Sequence, residues 1–159
     1  ESSLDKKWWE FDISSPSRRA IINDVTATIG LEQLKKVDNF IERRKEITRF
    51  YDQSLSKLEW LTIPPSLSDD IDSSYYMYWI QLDERDELAK YLKENDIYTT
   101  FRYYPLHWVK YYKDRYGEIN DLSNTEFAAI KTLCLPLHQS LSDDEVKKVV
   151  KIIKKYKDV

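Results

Sequence analysis

From Asn23 to Pro64 the chain runs without a proline, and this long stretch carries a helical pattern whose apolar residues change arrangement partway along. The spacing predicts a helix over about 24–57, capped by Asn23 or Asp24, whose side chains can accept hydrogen bonds from the free amides of a first turn. Between Val25 and Ile41 the apolar residues surround the axis: Val25 and Ile29 fall on one side, while Ala27, Leu31, Leu34 and Ile41 fall nearly opposite. From Phe40 through Ile47, Tyr51, Leu55 and Leu58 they narrow to one stripe, with Arg43, Arg44, Lys45, Glu46 and Arg49 on the remaining surface. The second half therefore needs one packing partner, and the first half needs cover on every side. An unbroken helix of that length would be roughly 50 Å long, against roughly 40 Å for the diameter of a compact chain of this size. Its front is expected to project toward a surface this chain does not contain. The competing expectation is a break at Gly30, where glycine costs a helix about 1 kcal/mol.

The 159 residues suffice for one domain with its own core, and 42% hydrophobic residues with a net charge of only -3 exclude a largely disordered chain. No apolar run approaches the roughly 20 residues of a membrane span, and the opening Glu1 to Asp12 lacks a signal-peptide pattern, so the expected setting is cytoplasmic. The single cysteine, Cys134, cannot form an internal disulfide, and two distant histidines make a zinc cluster an unfavoured reading. Only two glycines, Gly30 and Gly117, are present, which excludes the glycine-rich phosphate loops of the P-loop and dinucleotide types. Aromatics reach 14%, more than a core this size takes up, so some are expected to face a ligand or partner.

Residues 1–22 read as an irregular, aromatic-rich lead-in and 23–159 as the folded domain. Strands are expected at Glu59–Ile63, ending at Pro64 and Pro65, at Tyr75–Leu82 and at Ile97–Tyr103, with a short apolar run at Leu133–Leu137. Helices are expected from Asp83 to Asn95, near 107–116 and near 124–132. The final helix opens on a Ser142/Glu145 capping box, with Asp143 and Asp144 in its first turn and Lys154, Lys155 and Lys157 at its end. Strands alternating with helices give a small α/β (α+β) layer with a largely antiparallel sheet.

A search for catalytic constellations finds no Gly-x-Ser-x-Gly, no His-Glu-x-x-His and no metal-spaced cysteines. Arg102 to Tyr116 does stand out: bases alternate with Tyr103, Tyr104, Trp108, Tyr111, Tyr112 and Tyr116 around His107. Such a segment can stack sugars or bases and pair with phosphate; equally, half of its aromatics can fill the core. A stand-alone carbohydrate- or nucleic-acid-binding module is therefore one reading, although the acidic net charge weighs against nucleic acid. The lysines from Lys147 to Lys157 lie away from Val146, Val149, Val150 and Ile153, as on any solvated helix face. Asp69, Asp70 and Asp72 form a loop run too irregular for an EF-hand.

Several phrases in this order resemble one family. They are Asn23 to Leu34 (NDVTATIGLEQL), Ile41-Glu42-Arg43-Arg44 followed by Tyr51, Tyr104-Pro105-Leu106-His107, and Leu133 to His138 (LCLPLH) with Leu141-Ser142. Together they are similar to the DegT/StrS-type aminotransferases, which install amino groups on nucleotide-activated sugars using pyridoxal phosphate. The match runs over nearly the whole chain, and only to the small C-terminal domain of such a fold-type-I enzyme. The resemblance implies that the Schiff-base lysine and the aspartate at the pyridine nitrogen belong to a larger N-terminal domain outside this sequence. The chain is then a fragment, inactive alone, of an enzyme more than twice its length. The full enzyme is expected to take its amino group from glutamate, act on a nucleotide-linked keto sugar and work as a homodimer. Where many members have Gly-Tyr-Asn-x-Arg, this chain has Ser17-Arg18-Arg19-Ala20-Ile21, which puts Arg19 on the position that reaches the cofactor phosphate of the neighbouring subunit. His107 and the flanking Tyr104 match the substrate side of the site. The resemblance implies no catalytic residue in this domain, and composition and charge give no expectation of a metal, a nucleic acid or a membrane.

Overall fold

In the computed structural model, which describes residues 21–68, 70–119 and 121–158, the chain divides into two units, Glu1–Lys35 and Lys36–Val159. The described part of the first unit is helix α1, Asp24–Leu34. Asn23 caps it as expected: its side-chain oxygen accepts from the Thr26 amide at 2.9 Å and from the Thr26 hydroxyl at 2.7 Å. No residue of α1 is buried, and Val25, Ile29, Leu31 and Leu34 are each more than half exposed. Arg19 and most of the lead-in lie outside the described residues.

The expected single helix is in fact two. Helix α1 ends at Leu34, a turn occupies Lys35 and Lys36, and α2 runs from Val37 to Leu55. The interruption falls at the paired lysines and not at Gly30, which stays helical with nothing within 4 Å of where its Cβ would sit. It falls shortly before Phe40, where the all-round apolar pattern gives way to a single stripe. Lysine is a good helix former, so propensity does not break the helix; uncovered apolar residues before the break give nothing that would reward continuity. The two pieces are roughly 16 and 28 Å long at 1.5 Å per residue.

In the second unit, α2 buries the Ile47, Tyr51 and Leu55 stripe. Strand β1 (Tyr78–Gln81) pairs antiparallel with β2 (Thr132–Leu135), placing Tyr78 opposite Leu135 and Ile80 opposite Leu133. The expected flanking strands shrink to single antiparallel bridges, Thr62 with Gln81 beside β1 and Thr100 with Cys134 beside β2. Each bridge exchanges both backbone hydrogen bonds, at 2.7–3.1 Å, before the chain leaves the sheet. Pro64 cannot continue a ladder on one side. The strand expected from Tyr75 begins only at Tyr78, because Tyr75 itself sits in the left-handed region at φ 48°.

Between the strands lie α3 (Arg85–Glu94), a 3-10 turn at Leu106–Trp108, α4 (Lys110–Tyr116) and α5 (Ser123–Lys131); α6 (Asp143–Lys155) closes the unit. One core joins the Tyr78, Ile80, Leu133 and Leu135 side chains to α2, to Leu88 and Leu92 of α3, and to Val146, Val149, Val150 and Ile153 of α6. The fold is the expected mixed α/β layer on a small antiparallel sheet. Lys147, Lys148, Lys151, Lys154 and Lys155 are exposed, the solvated face that the periodicity indicates. The capping box is present in both directions: Ser142 Oγ accepts from the Glu145 amide at 3.3 Å, and the Ser142 amide donates to Glu145 Oε2 at 2.8 Å. Ser142→Ala is expected to destabilise the unit by about 1 kcal/mol, with the urea midpoint lowered and the m-value unchanged.

Candidate functional site

The sheet order carries two segments to one place. Thr100 bridges Cys134 antiparallel, so the chain before Thr100, with Tyr98, runs beside the chain after β2, while Arg102 just past the bridge and Arg44 from α2 reach the same region. The result is a cavity of about 350 Å³ whose lining includes Arg44, Tyr76, Tyr98, Arg102, Cys134 and His138. Arg102 Nη1 donates to the Tyr76 hydroxyl at 2.5 Å and its guanidinium lies 5.8 Å from the centre of that ring. The Tyr76 and Tyr103 hydroxyls are 3.3 Å apart. The hydrogen bond from Tyr76, with the Arg102 guanidinium beside it, holds the Tyr103 phenol below its ordinary range. Arg44 is half-buried, its Nε donating to the Phe40 carbonyl at 3.2 Å. Burial pushes the Cys134 thiol up, which disfavours the thiolate.

The segment Arg102 to Tyr116 divides between packing and exposure. His107 is nearly covered: its side chain is 7% exposed, and its Nε2 lies 3.0 Å from Glu126 Oε1. Trp108 Nε1 donates to the same oxygen at 3.1 Å. The His107 contact first, and the Trp108 hydrogen bond second, hold the Glu126 carboxyl below its usual range. Tyr104 is exposed and packs edge-on against Trp108 at 5.5 Å between ring centres, while His107 and Trp108 are 5.6 Å apart. Trp108 thus joins the two sequence-identified residues, and neither of them lines the cavity around Arg102. Tyr111 and Tyr116 are exposed on α4.

The sequence pattern places Arg44 on the surface of its helix away from the apolar stripe and His138 within a short phrase, and marks neither Tyr76 nor Tyr98 as a site residue. The signal was present only for Arg102, as the first base of the aromatic segment. The others need the sheet order, which brings together residues far apart in the chain.

A pyridoxal-phosphate site needs a lysine held in an enclosed position. No lysine among the described residues is buried, and none lines this cavity. The residues present do not fit that cofactor by themselves. Among the described residues no helix is long and apolar enough to cross a membrane.

Comparison with known proteins accounts for this incompleteness. The family model described as DegT/DnrJ/EryC1/StrS aminotransferase matches residues 4–154. A dTDP-4-dehydro-2,3,6-trideoxy-D-glucose 4-aminotransferase of Saccharopolyspora spinosa is 43% identical over 90% of this chain and 37% of its own length. A dTDP-4-amino-4,6-dideoxy-D-glucose transaminase of Shigella dysenteriae is 33% identical over 86% of this chain and 38% of its own. The crystal structure of the aminotransferase TlmJ from Streptoalloteichus hindustanus superposes with a TM-score of 0.83 at 46% identity, covering 92% of this chain and 40% of that one. The PLP-form of a putative sugar aminotransferase from Streptococcus pneumoniae superposes at 0.81 and 26% identity, over 92% of this chain and 38% of that one. The chain spans about two fifths of the length of the relatives it matches. The lack of a buried lysine among the described residues, the small antiparallel layer and the match over nearly every residue have one common explanation: this chain belongs to the DegT/DnrJ/EryC1/StrS aminotransferase family, of which it covers a part.

Proposed function

We propose that this chain is the C-terminal domain, residues 23–159 with a lead-in over 1–22, of a cytoplasmic, homodimeric aminotransferase that moves an amino group from glutamate to a nucleotide-linked keto sugar. The observation that carries the reading is the superposition on TlmJ at 46% identity over 92% of this chain. The names of the Saccharopolyspora and Shigella relatives support a nucleotide-linked sugar as substrate. The amino group is carried by the pyridoxal phosphate on which the family depends, and that group is held by a larger domain outside this sequence. This domain's contribution is wall and orientation: a rigid sheet and helices that present side chains toward the substrate.

Three side chains are assigned on this reading. Arg19 pairs with the cofactor phosphate across the dimer, with the planar fork that suits phosphate oxygens. His107 and Tyr104 stand on the sugar side, where a hydroxyl or phosphate oxygen can accept or donate a hydrogen bond. The Glu126 contact that fixes His107, together with the packing of Tyr104 on Trp108, supports a pre-set orientation for both.

The test is the complete protein incubated with pyridoxal phosphate, glutamate and a dTDP-linked 4-keto-6-deoxyhexose. Formation of 2-oxoglutarate together with the amino sugar is the expected result. Amino transfer to keto acids but to no nucleotide-linked keto sugar would overturn the substrate class. In the same protein, Arg19→Ala is expected to weaken cofactor retention by roughly 1.5–3 kcal/mol, tenfold or more. An unchanged dissociation constant for pyridoxal phosphate removes Arg19 from the site.

A further inference from the structure

Two guanidinium groups and an imidazole line the 350 Å³ cavity from three separate stretches of chain: Arg44 on α2, Arg102 beyond the Thr100 bridge, and His138 after β2. Among the described residues no carboxylate lines it. Arg43, Arg49 and Arg85 each lie within 4.0 Å of a carboxylate, whereas Arg44 and Arg102 have no such partner among the described residues. Glu145 does not line the cavity, and its Oε2 is taken up at 2.8 Å by the Ser142 amide and hydroxyl. The remaining wall includes Met77, Leu135, Pro136 and Leu137. Arg102 and His138 are exposed and Arg44 is half-buried, so two guanidinium groups with no carboxylate partner among the described residues face one cavity, an arrangement that suits an anion between them.

Shape narrows the anion. Arg44 is anchored through Nε to a helix carbonyl and Arg102 through Nη1 to Tyr76, which leaves other guanidinium N–H groups to present a fork. Forked donors match the oxygens of phosphate and carboxylate groups. A volume of about 350 Å³ is at the small end for ligand pockets and suits a charged linker better than a whole nucleotide sugar. An amino acid would bring its ammonium group toward the same two guanidinium groups, with no lining carboxylate among the described residues to receive it. A diphosphate carries adjacent negative groups and no cation.

We propose that the Arg44, Arg102 and His138 cavity seats the diphosphate of the substrate, so that this domain holds the nucleotide linkage while the sugar extends to the reacting centre. The assignment rests on the nucleotide-sugar reading above. It makes Arg44 and Arg102 binding residues for the acceptor substrate and not for the amino donor.

Two measurements separate the site from the reading. In the 159-residue chain, inorganic pyrophosphate titrated against the Arg Nε–Hε NMR signals is expected to shift Arg44 and Arg102 saturably. Arg44→Gln and Arg102→Gln are each expected to weaken binding about tenfold or more, with the backbone amide spectrum showing each variant folded. 2-Oxoglutarate is expected to bind far more weakly. In the complete protein, the same substitutions are expected to raise the KM for the dTDP-linked keto sugar about tenfold while leaving the glutamate half-reaction unchanged. Unshifted arginine signals, or 2-oxoglutarate binding as tightly as pyrophosphate, overturn the diphosphate assignment. So does an unchanged KM for the keto sugar, which would make pyrophosphate an adventitious ion only. Pyrophosphate binding that persists in a protein unable to aminate any nucleotide-linked keto sugar overturns the functional reading and supports the anion site.

Discussion

Replacing Tyr78 with alanine is expected to lower the stability of the second unit by about 3–5 kcal/mol, the range for deleting a fully buried aromatic ring. Tyr78 is completely buried at the start of β1, and its ring lies 5.0 Å from that of Tyr51, itself completely buried on α2. The pair ties the strand to the helix at the middle of the core. Their hydroxyls reach the margins: Tyr78 donates to Asp52 Oδ1 at 2.9 Å, and Tyr51 donates to the Pro136 carbonyl at 2.9 Å. Tyr78→Phe keeps the ring and removes one hydrogen bond, so its cost is about 1 kcal/mol. Urea denaturation of both variants measures the difference. Equal losses for alanine and phenylalanine would show that the hydroxyl, and not the ring, holds this part of the core.

Raising the pH above 10 is expected to unfold the protein steeply through the same two residues. Burial raises the Tyr51 phenol well above its ordinary value. Burial again, then the Asp52 carboxylate and the neighbouring Tyr51, raise that of Tyr78. In the unfolded chain both ionise near 10. Below about pH 9 native and unfolded chains hold these protons equally, and the contribution is fully present. Above pH 10 the unfolded chain has lost protons that the native protein keeps, so stability falls as pH rises. The slope is about 1.4 kcal/mol per pH unit for each phenol, about 2.7 for both. Tyr78→Phe is expected to halve that share of the slope. A stability curve that is flat from pH 9 to 11, or a phenolate titration complete near 10 in the folded protein, would contradict the burial of this pair.

The elements that were legible in the sequence are those whose cause is local. The final helix carries its cap, its first-turn acids and its apolar stripe within thirteen residues, and α6 forms over that span with the box intact. The central strand was legible as an aromatic run, though its length was not: Tyr75 turns the chain, and a positive φ at a tyrosine leaves no mark in the pattern. The break at Lys35 and Lys36 was hidden because both residues favour helix, and only the loss of apolar cover beyond them distinguishes the two halves. Edge strands at 59–63 and 97–103 depend on distant partners, and each keeps a single bridge. The site divides in the same way. His107 and Tyr104 could be named from a short phrase, but the Glu126 carboxylate that holds His107 comes from another helix, and the meeting of Arg44, Arg102 and His138 follows from sheet order alone.

On the proposed function, this chain supplies wall and orientation to an aminotransferase whose cofactor-bearing lysine lies elsewhere. Incubating the purified 159-residue chain with pyridoxal phosphate, reducing with borohydride and mapping labelled lysines by peptide mass spectrometry tests it directly. Only scattered, substoichiometric labelling of exposed lysines is expected, while the same procedure on the complete protein is expected to label one lysine, outside this sequence, to about one equivalent. Stoichiometric labelling of a single lysine within this chain would contradict it.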